Sequence, residues 1–449
     1  MKRNTRSRAR KSSGKIHFQS CAKGLTSQAG LIPVMKFLQR FGVPDSLDKL
    51  VAHGRGDSAV YNLTDVMLLT LVGLIGGATS FLKTVALWSD GVLRRVGGWL
   101  RIPDDSTFGR IFKEVTEEQI VLLEAMNHRL RGRIWKAALR AGVSTIGAVR
   151  EIWIDVDSTV KTVFGEQEGA AKGYNPEKKG ALSYHPLIAF CCTTKEILQA
   201  WYRTGNSYTS NGIVEFMKQL LAHMPNRVRF VFRGDSGFFT GELLAFLESF
   251  GHGYLIKVKL RNLVALMERQ VWTAVPSQPG WEQCEFQYEC SGWGISRRFM
   301  ALRIEKKEDK KGAQEKLLDV MRYEYFCYVT TESLSPWAAH KKYGERATCE
   351  TWIEESKSQM GMGHIKTGDF LANAAIFQCG VLAYNTIRWM ALMSGNAELR
   401  TWEVQTVRTF LVRVAGKLLT GNNQLTINTP QDHLYPKEWA DWVAVGIGT

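Results

Sequence analysis

EIWIDVDSTVKTVFG, from Glu151 to Gly165, marks the point where the sequence changes from a helical to a β-strand pattern. Its first half is rich in β-branched and aromatic residues, which favour strands. The next segments predict, in order, the strands HPLIAFCCTT and EILQAWYRTG joined by a turn at Thr194–Lys195, the helix IVEFMKQLLAHM, the strand VRFVFRGDSGF, the helix ELLAFLESF and the strand YLIKVKL. Three strands followed by helix, strand, helix and strand predict an α/β unit with a mixed sheet.

The sequence on either side divides the chain into further parts. Residues 1–30 are expected to form a basic flexible arm, because MKRNTRSRARKSSGK carries seven lysine or arginine residues and no acid. Residues 31–147 have helical periodicity and predict a helical DNA-binding domain, although a plain helical bundle has the same pattern. Residues 148–260 and 323–395 are assigned to the α/β core and residues 261–322 to a β-rich insertion of short antiparallel strands. Residues 396–449 are assigned to a C-terminal helical region, with a helix over Trp402–Leu419.

The composition limits the class of partner. A net charge of +15 favours a polyanion, either nucleic acid or an anionic membrane surface. The longest apolar runs, Val66–Ala78 and Leu371–Met393, are too short or too interrupted by polar residues to span a bilayer, so both are interpreted as buried helices. No signal peptide is expected, because the N-terminus passes from charges to polar sequence. The eight cysteines form no CxxC pair and no cluster with histidine, which indicates reduced thiols and argues against a zinc site.

Two carboxylates lie where strands are expected to end, Asp157 in WIDVDST and Asp235 in FVFRGDSGF. Ligands commonly bind at that edge of an α/β sheet. Asp155 lies two residues before Asp157, so both would share one face of a strand. The Asp-Ser-Thr turn favours Asp157 as the ligand and leaves Asp155 a supporting hydrogen-bonding role. Taken singly, each aspartate is better explained as a turn or cap residue, and the two favour a metal site only together with a third acid. Carboxylate oxygens are the ligands that Mg²⁺ prefers, and two such ions suit phosphoryl transfer.

A third carboxylate, Glu350, lies in YGERATCETWIEESK, from Tyr343 to Lys357. At about 100° per residue, a continuous α-helix would place Tyr343, Arg346, Glu350 and Lys357 on one face over roughly four turns. The segment by itself could be a solvent-exposed helix with an arginine–glutamate pair at four-residue spacing. If the helix packs on the sheet, its glutamate joins the two aspartates. The other three side chains would then lie where DNA phosphates can be bound.

These residues resemble the signature of a known family. The order of the three acids is similar to that of the catalytic residues of DDE transposases with a ribonuclease H-like core. It has one aspartate at the end of the first strand, one at the end of the fourth strand and a glutamate on a late helix. The spacing Y-x2-R-x3-E-x6-K matches the signature of the insertion-sequence 4 type transposases without a mismatch. The likeness covers nearly the whole chain. Two segments narrow it to the bacterial insertion-sequence 1380 family, GEQEGAAKGYNPEKKGALSYHPL at residues 165–187 and FRGDSGF at residues 232–238. One segment departs from the pattern of related chains, which often have a Pro-Ser turn where this chain has PDDSTFGR, from Pro103 to Arg110.

The resemblance implies a fold and an activity. The fold is an α/β ribonuclease H-like catalytic core with a β-rich insertion and a helical N-terminal DNA-binding domain. Asp157, Asp235 and Glu350 would be catalytic and would hold two Mg²⁺ ions, for which Mn²⁺ can substitute. The reaction would be DNA cleavage at terminal inverted repeats, followed by strand transfer into target DNA. The alternatives are a metal-dependent nuclease without strand transfer and a non-catalytic DNA-binding regulator. The partners would be DNA and a second copy in the synaptic complex, with no membrane, in the bacterial cytoplasm at the nucleoid.

The resemblance also implies residues that contact DNA. Tyr343, Arg346 and Lys357 correspond to phosphate contacts of the signature. Other cations either add phosphate contacts or are solvated surface charges, and these are Lys178, Lys179, Lys257, Lys259, Arg297 and Arg298. In related enzymes the insertion lies near the cleavage site and stabilises a hairpin or a flipped base, often with a tryptophan. Trp272, Trp281 and Trp293 are the candidates here, and core packing is the alternative for each.

Overall fold

The computed structural model describes residues 17–20, 22–50, 60–176, 178–225, 228–305, 323–421 and 424–448. The first sixteen residues of the predicted arm and residues 306–322 of the predicted insertion lie outside these ranges. The helices are α1 (Leu31–Arg40), α2 (Val43–Leu50), α3 (Leu63–Gly76), α4 (Phe81–Trp88), α5 (Gly91–Gly97), α6 (Asp105–Phe112), α7 (Glu117–Arg140), α8 (Ile213–Ala222), α9 (Gly241–Ser249), α10 (Leu263–Glu268), α11 (Pro336–Gly344), α12 (Ala347–Glu354), α13 (Phe370–Met393), α14 (Ala397–Thr401), α15 (Val404–Val407) and α16 (Pro436–Ile447). The strands are β1 (Leu25–Thr26), β2 (Glu151–Ser158), β3 (Lys161–Thr162), β4 (Ala171–Lys172), β5 (Leu182–Tyr184), β6 (Leu187–Cys191), β7 (Ile197–Trp201), β8 (Arg229–Gly234), β9 (Gly253–Lys257), β10 (Thr273–Ala274), β11 (Trp281–Glu289), β12 (Ser296–Glu305), β13 (Tyr323–Thr330), β14 (Gly416–Gly421) and β15 (Gln424–Asn428).

A nine-stranded mixed sheet forms the centre of the fold, in the order β10-β11-β12-β13-β9-β8-β2-β6-β7. β2 pairs in parallel with β8 and antiparallel with β6, and β8 pairs in parallel with β9. β6 and β7 form the predicted hairpin, and Lys195 in its turn has a positive φ of 60°. The predicted order of strands and helices from Glu151 to Lys257 is therefore confirmed for the central sheet, whereas the short strands β3, β4 and β5, which form a separate sheet, were not predicted.

Helices cover both faces of this sheet. Leu187 and Ala189 of β6 pack in one hydrophobic cluster with α8 and α9. Ile188 and Phe190, which alternate with them, pack in a second cluster with α13. This alternation follows from the two-residue repeat of a strand, and it explains why β6 is apolar at every position. Helix α13 meets the length and hydropathy of a membrane span, but 89% of its most apolar window is buried inside the protein, as the sequence analysis expected.

The predicted β-rich insertion continues the central sheet. β11 and β12 pair antiparallel over their whole length, and β13 joins β12 to β9. The prediction of antiparallel strands is confirmed, but β11 and β12 have nine and ten residues and are not short. Cross-strand side-chain pairs explain their length, since Phe286 stacks on its direct partner Phe299 at 5.6 Å between ring centroids.

Two predictions near the chain ends are wrong. A helix over Trp402–Leu419 was expected, but helical structure covers only residues 404–412, and β14 begins at Gly416 and pairs with β15. The basic arm was expected to extend to residue 30, but β1 pairs with β14, and the N–H of Ala29 donates to the carbonyl of Val414 at 2.9 Å. Both errors have one cause: a hairpin late in the sequence binds a short segment from the beginning, and such long-range pairing leaves little local signal.

The N-terminal helices share one hydrophobic core with α13. α3 and α7 both pack along α13. At the contact between α7 and α13, the Gln378 amide donates to Glu124 Oε1 at 3.2 Å. Burial raises the pKa of Glu124 to about 8. The carboxyl group is therefore held in its protonated form inside the fold at neutral pH.

Stability should therefore decrease as the pH rises through this window. Between the ordinary pKa of glutamate and about 8, the folded chain keeps a proton on Glu124 that the unfolded chain has lost. Replacing Glu124 by glutamine should reduce the loss of stability between about pH 5 and about pH 8 by on the order of 2 kcal/mol. Urea unfolding at the two pH values measures this difference. Glu118→Gln, an exposed position on the same helix, is the control, and an equal effect of both substitutions would contradict the assignment.

Candidate active site

Asp157 and Asp235 lie at the carboxyl ends of two neighbouring parallel strands. Asp157 is the penultimate residue of β2, and Asp235 follows directly after β8. In the parallel pairing of β2 with β8, Asp155 lies opposite Arg233. The same register, continued by two residues, places Asp157 opposite Asp235. Burial raises the pKa of Asp157 to about 6; the Arg346 cation acts against this rise, and the nearby Asp235 charge adds to it. The two carboxylates are thus close enough to interact, as expected for aspartates that end adjacent parallel strands.

The signature segment does not form the continuous helix that was predicted. α11 ends at Gly344, α12 begins at Ala347, and a π-helical turn spans Glu355–Gln359. Arg346 is the N-cap residue of α12 and Glu350 lies one turn later, so their predicted shared face is preserved. The break follows Gly344, a residue with low helix propensity, and the wider π turn rotates Lys357 away from the angle of an ideal α-helix.

Arg346 lies between Asp157 and Glu350. Its Nη2 is 2.7 Å from Asp157 Oδ2, and its Nη1 is 4.0 Å from Glu350 Oε1. The Arg346 side chain is only 9% exposed, whereas that of Glu350 is 71% exposed. Among the described residues, the Arg346 Nε–H has no hydrogen-bond acceptor. A buried guanidinium with an unsatisfied donor is therefore directed at the carboxylates.

The predicted convergence of three carboxylates is only partly present. Asp157 and Asp235 interact, but the Arg346 guanidinium separates Asp157 from Glu350. Within the ranges that the structure describes, no three histidine, cysteine, aspartate or glutamate side chains lie close enough to hold one metal ion. The donor chemistry suits a hard cation. Among the described residues, Asp235 uses only Oδ1 in a hydrogen bond, which it accepts from the N–H of Gly237 at 2.9 Å. Two carboxylates of the predicted set therefore fit a divalent ion, and the third lies beside them.

Tyr343 and Lys357 take different positions around the carboxylates. The Tyr343 ring lies 4.8 Å from that of Tyr328. Burial raises the pKa of Tyr343 to about 12, Arg346 opposes this rise, and the charges of Asp235 and Asp157 add to it. Tyr343 is therefore close to both aspartates and carries its proton at neutral pH. Lys357 lies on the π-helical turn, where its charge acts on Lys161.

The other predicted DNA contacts fall into two groups. Arg297 binds Glu248 through Nε at 2.8 Å and Nη2 at 2.9 Å. Arg298 binds Glu285 at 2.6 and 2.7 Å and donates to two backbone carbonyl groups. Both guanidinium groups therefore have partners within the protein. The lysines of the prediction are exposed instead, and these are Lys178, Lys179, Lys257 and Lys259.

The three candidate tryptophans also differ in their surroundings. Trp281 packs against Trp337 at 5.2 Å and Phe326 at 5.6 Å. Trp272 lies under the Arg303 guanidinium at 4.5 Å. Trp293, in the loop between β11 and β12, lies 4.8 Å from the ring of Phe239, which is four residues after Asp235. Trp293 is thus the tryptophan whose packing partner belongs to the segment that carries Asp235.

Arg233 is a residue of the site that the sequence motifs did not predict. Its Nε lies 2.5 Å from Asp155 Oδ1 and its Nη2 lies 2.8 Å from Oδ2, and neither side chain is more than 1% exposed. Arg233 Nη1 also donates to the carbonyl of Lys342 on α11. Asp155 therefore has the supporting role that was predicted, and Arg233 is its partner. The signal was present in the sequence, since Arg233 stands two residues before Asp235 as Asp155 does before Asp157.

His185 is a second residue that was missed. Its Nδ1 lies 2.5 Å from the carbonyl oxygen of Ser207, which can only accept, so Nδ1 carries the proton. Burial lowers the pKa of His185, which keeps the ring neutral and leaves Nε2 to accept from Ser158 Oγ at 3.0 Å. His185 thus fixes the turn that follows Asp157.

A comparison with protein families agrees with the sequence resemblance at the level of DDE transposases. The family model described as Transposase DDE domain group 1 matches residues 9–445. No curated protein matches the sequence. Among solved structures, the chain is similar to that of a cryo-EM structure of the piggyBac transposase synaptic complex with hairpin DNA, at 10% sequence identity and a TM-score of 0.36, over 91% of this chain and 89% of that chain. That structural likeness is too low to support an argument, whereas the family match spans nearly the whole sequence. The chain belongs to the DDE transposases, in the family Transposase DDE domain group 1.

Proposed function

We propose that this transposase cuts DNA at the inverted repeats of its element and joins the ends to target DNA. The observation that carries the proposal is the pair Asp157 and Asp235 at adjacent ends of parallel strands, beside the buried guanidinium of Arg346. Carboxylates from separate elements at a sheet edge, next to a cation suited to phosphate, are the residues that phosphoryl transfer requires.

Asp157 and Asp235 would hold divalent ions, Mg²⁺ or Mn²⁺, with Glu350 as the third ligand. When bound, two such ions would activate the attacking oxygen and stabilise the leaving oxygen of a phosphodiester. The residues around them bind and orient DNA. The unsatisfied Nε–H of Arg346 suits a phosphate oxygen, and a guanidinium drawn towards DNA leaves Asp157 and Glu350 free to approach each other.

Tyr343 acts in this proposal as a hydrogen-bond donor to phosphate. With its pKa raised to about 12, the phenol stays protonated at neutral pH and is a poor nucleophile. No covalent link between protein and DNA is therefore needed. Trp293 is the tryptophan that we assign to stacking on an extruded base near the cleavage site, because it packs on the segment that follows Asp235.

The finer assignments follow from the same proposal. Strands β2, β6, β7, β8 and β9 with α8 and α9 would be the ribonuclease H-like core, and residues 261–322 its insertion. The helices within residues 31–147 would bind the inverted repeats. The protein would act as a homodimer at paired DNA ends in a bacterial cytoplasm, as a member of the insertion-sequence 1380 family.

A cleavage assay on a labelled inverted-repeat end, with and without Mg²⁺, tests the proposed activity. Metal-dependent cuts at the end of the element are expected. A pre-cleaved end incubated with a target plasmid should then give joined products. Hydrolysis without joining would indicate a nuclease, and specific binding with no cleavage in Mg²⁺ or Mn²⁺ would indicate a regulator. Either result would contradict the transposition mechanism.

Lys357 should contribute one phosphate contact. Replacing Lys357 by alanine is expected to weaken DNA binding and to reduce the slope of log affinity against log salt concentration by about one unit, because one fewer counterion is released. Fluorescence anisotropy over a salt series measures the slope. Arg298→Gln is the control. The Arg298 guanidinium is bound to Glu285, so its removal should leave the salt slope unchanged. An unchanged salt slope for Lys357→Ala would show that Lys357 does not contact a DNA phosphate.

A further inference from the structure

Lys161 is a buried cation four residues beyond Asp157. It begins β3 and is 5% exposed. Its Nζ lies 4.8 Å from the ring centroid of Tyr202 and 5.4 Å from that of Phe377. Within the described part of the chain, no carboxylate pairs with this ammonium group and no acceptor hydrogen-bonds to it. Aromatic faces offset only part of the cost of removing a charge from water.

The charged groups around Lys161 are also cationic. Burial lowers the pKa of Lys161 to about 7, and the charges of Lys366 and Lys357 act in the same direction. Burial likewise lowers the pKa of Lys366 to about 8. The pKa of His364 is lowered by burial and then by Lys366, Lys83 and Lys161. The charges of Lys366 and Lys357 thus disfavour the charged form of Lys161, and an anion beside Lys161 would favour that form.

The backbone holds these lysines together. The N–H of Lys366 donates to Asn373 Oδ1 at 3.2 Å. Asn373 and Phe377 are one turn apart on α13, so one helix face supports both Lys366 and the side chain of Lys161. The carbonyl of Lys357 accepts from the N–H of Gly363 at 2.8 Å, which folds the segment that carries Lys366 back towards the π-helical turn.

This cluster lies just beyond the candidate catalytic residues along two segments of the chain. Lys161 follows Asp157 by four residues, and Lys357 follows Glu350 by seven. We propose that Lys161 and Lys366, together with Lys357, form a pocket for one phosphodiester group of the DNA strand that passes the active site. The pocket rests on the proposed function, because that function brings DNA to this edge of the sheet. One phosphate would supply the negative charge that Lys161 lacks among the described residues, and it would accept charge-assisted hydrogen bonds.

The pocket can be tested by DNA binding over a range of salt concentrations and pH. The probe is a short fluorescein-labelled DNA duplex, bound to the full-length protein in fluorescence anisotropy. At about pH 6.5, Lys161→Met and Lys366→Met should each reduce the salt slope by about one unit. The unmodified protein should lose affinity between about pH 6.5 and about pH 8.5, because the phosphate binds the protonated ammonium groups. Lys437→Met, an exposed position on α16, should change neither quantity.

A charge-preserving substitution separates binding from packing. Lys161→Arg keeps its charge over the whole range, so it should keep the salt slope and lose part of the pH dependence. If circular dichroism shows that a methionine variant is misfolded, the pH dependence of DNA binding by Lys161→Arg is used instead to test the pocket. An unchanged pH dependence in that variant would overturn the pocket. Salt slopes of the folded methionine variants equal to that of the unmodified protein would also overturn it.

Two further measurements separate this proposal from related possibilities. Cleavage of a labelled inverted-repeat end by the unmodified protein reports on the proposed function. If the unmodified protein cleaves this end and the lysine variants bind DNA with unchanged salt slopes and pH dependence, the pocket is rejected and the proposed function stands. Inorganic phosphate is the second probe. If it raises the melting temperature of the unmodified protein more than that of Lys161→Met while the DNA slopes are equal, the pocket binds free phosphate, and the DNA assignment is wrong.

Discussion

Replacing Asp157 or Asp235 by asparagine should reduce the rate of DNA end cleavage at least about 10³-fold, with DNA binding retained. Asparagine preserves the shape of the side chain and removes the negative charge that a divalent ion requires. At about 1.36 kcal/mol for each factor of ten, this loss corresponds to about 4 kcal/mol of transition-state stabilisation, in the range that a metal ion supplies. Single-turnover cleavage of a labelled end in Mg²⁺ measures the rate, and anisotropy measures binding.

The control for this experiment is Asp432→Asn. Asp432 is an exposed carboxylate that lies outside the central sheet, and its loss should leave cleavage unchanged. Glu350→Gln should resemble the two aspartate variants if the glutamate completes the site during the reaction. Cleavage at the normal rate by Asp157→Asn or Asp235→Asn would refute the catalytic assignment, and weak binding by both variants would indicate a structural role.

Replacing Arg233 by methionine should lower the free energy of unfolding by about 3–5 kcal/mol. The substitution leaves the carboxylate of Asp155, which is 0% exposed, without its guanidinium partner. It also removes the contact from Arg233 to the carbonyl of Lys342, which ties the sheet to α11. We therefore expect the position of Tyr343 and Arg346 to become less defined, with a further loss of cleavage. Urea unfolding followed by circular dichroism measures the stability.

A double substitution distinguishes the ion pair from simple packing. Asp155→Leu combined with Arg233→Met removes both charges and should recover most of the lost stability, because no unpaired charge remains buried. Lys218→Met is the control. Lys218 and Glu215 form an exposed pair at 4.0 Å, and such pairs contribute at most about 1 kcal/mol. If the double variant is no more stable than Arg233→Met alone, the unpaired carboxylate is not the cause of the loss.

The elements of the α/β core were predictable because their local patterns are strong. β2, β6 and β8 are apolar runs bounded by polar or turn residues, and α8 and α9 have clear helical periodicity. The predictions that were wrong concern segments whose structure depends on distant partners. β14 forms a strand because β15 and β1 pair with it, and the break after Gly344 interrupts a segment whose spacing is compatible with one helix.

The sequence by itself placed Asp157 and Asp235 at the ends of strands, and the pairing of those strands brought the two carboxylates together. Parallel strands end at the same edge of a sheet, so an aspartate at the end of each of two neighbouring strands must lie beside the other. The spacing of Arg346 and Glu350 likewise placed them on one face of α12, since four residues complete about one turn.

Only the tertiary structure decided which charges pair. It placed Arg346 between Asp157 and Glu350, turned Arg297 and Arg298 towards acids within the protein and buried Lys161 without an acidic partner among the described residues. The physical reason is that an ion pair depends on which distant segments pack together. Arg233 and Asp155 are 78 residues apart, and no local pattern records the contact between them.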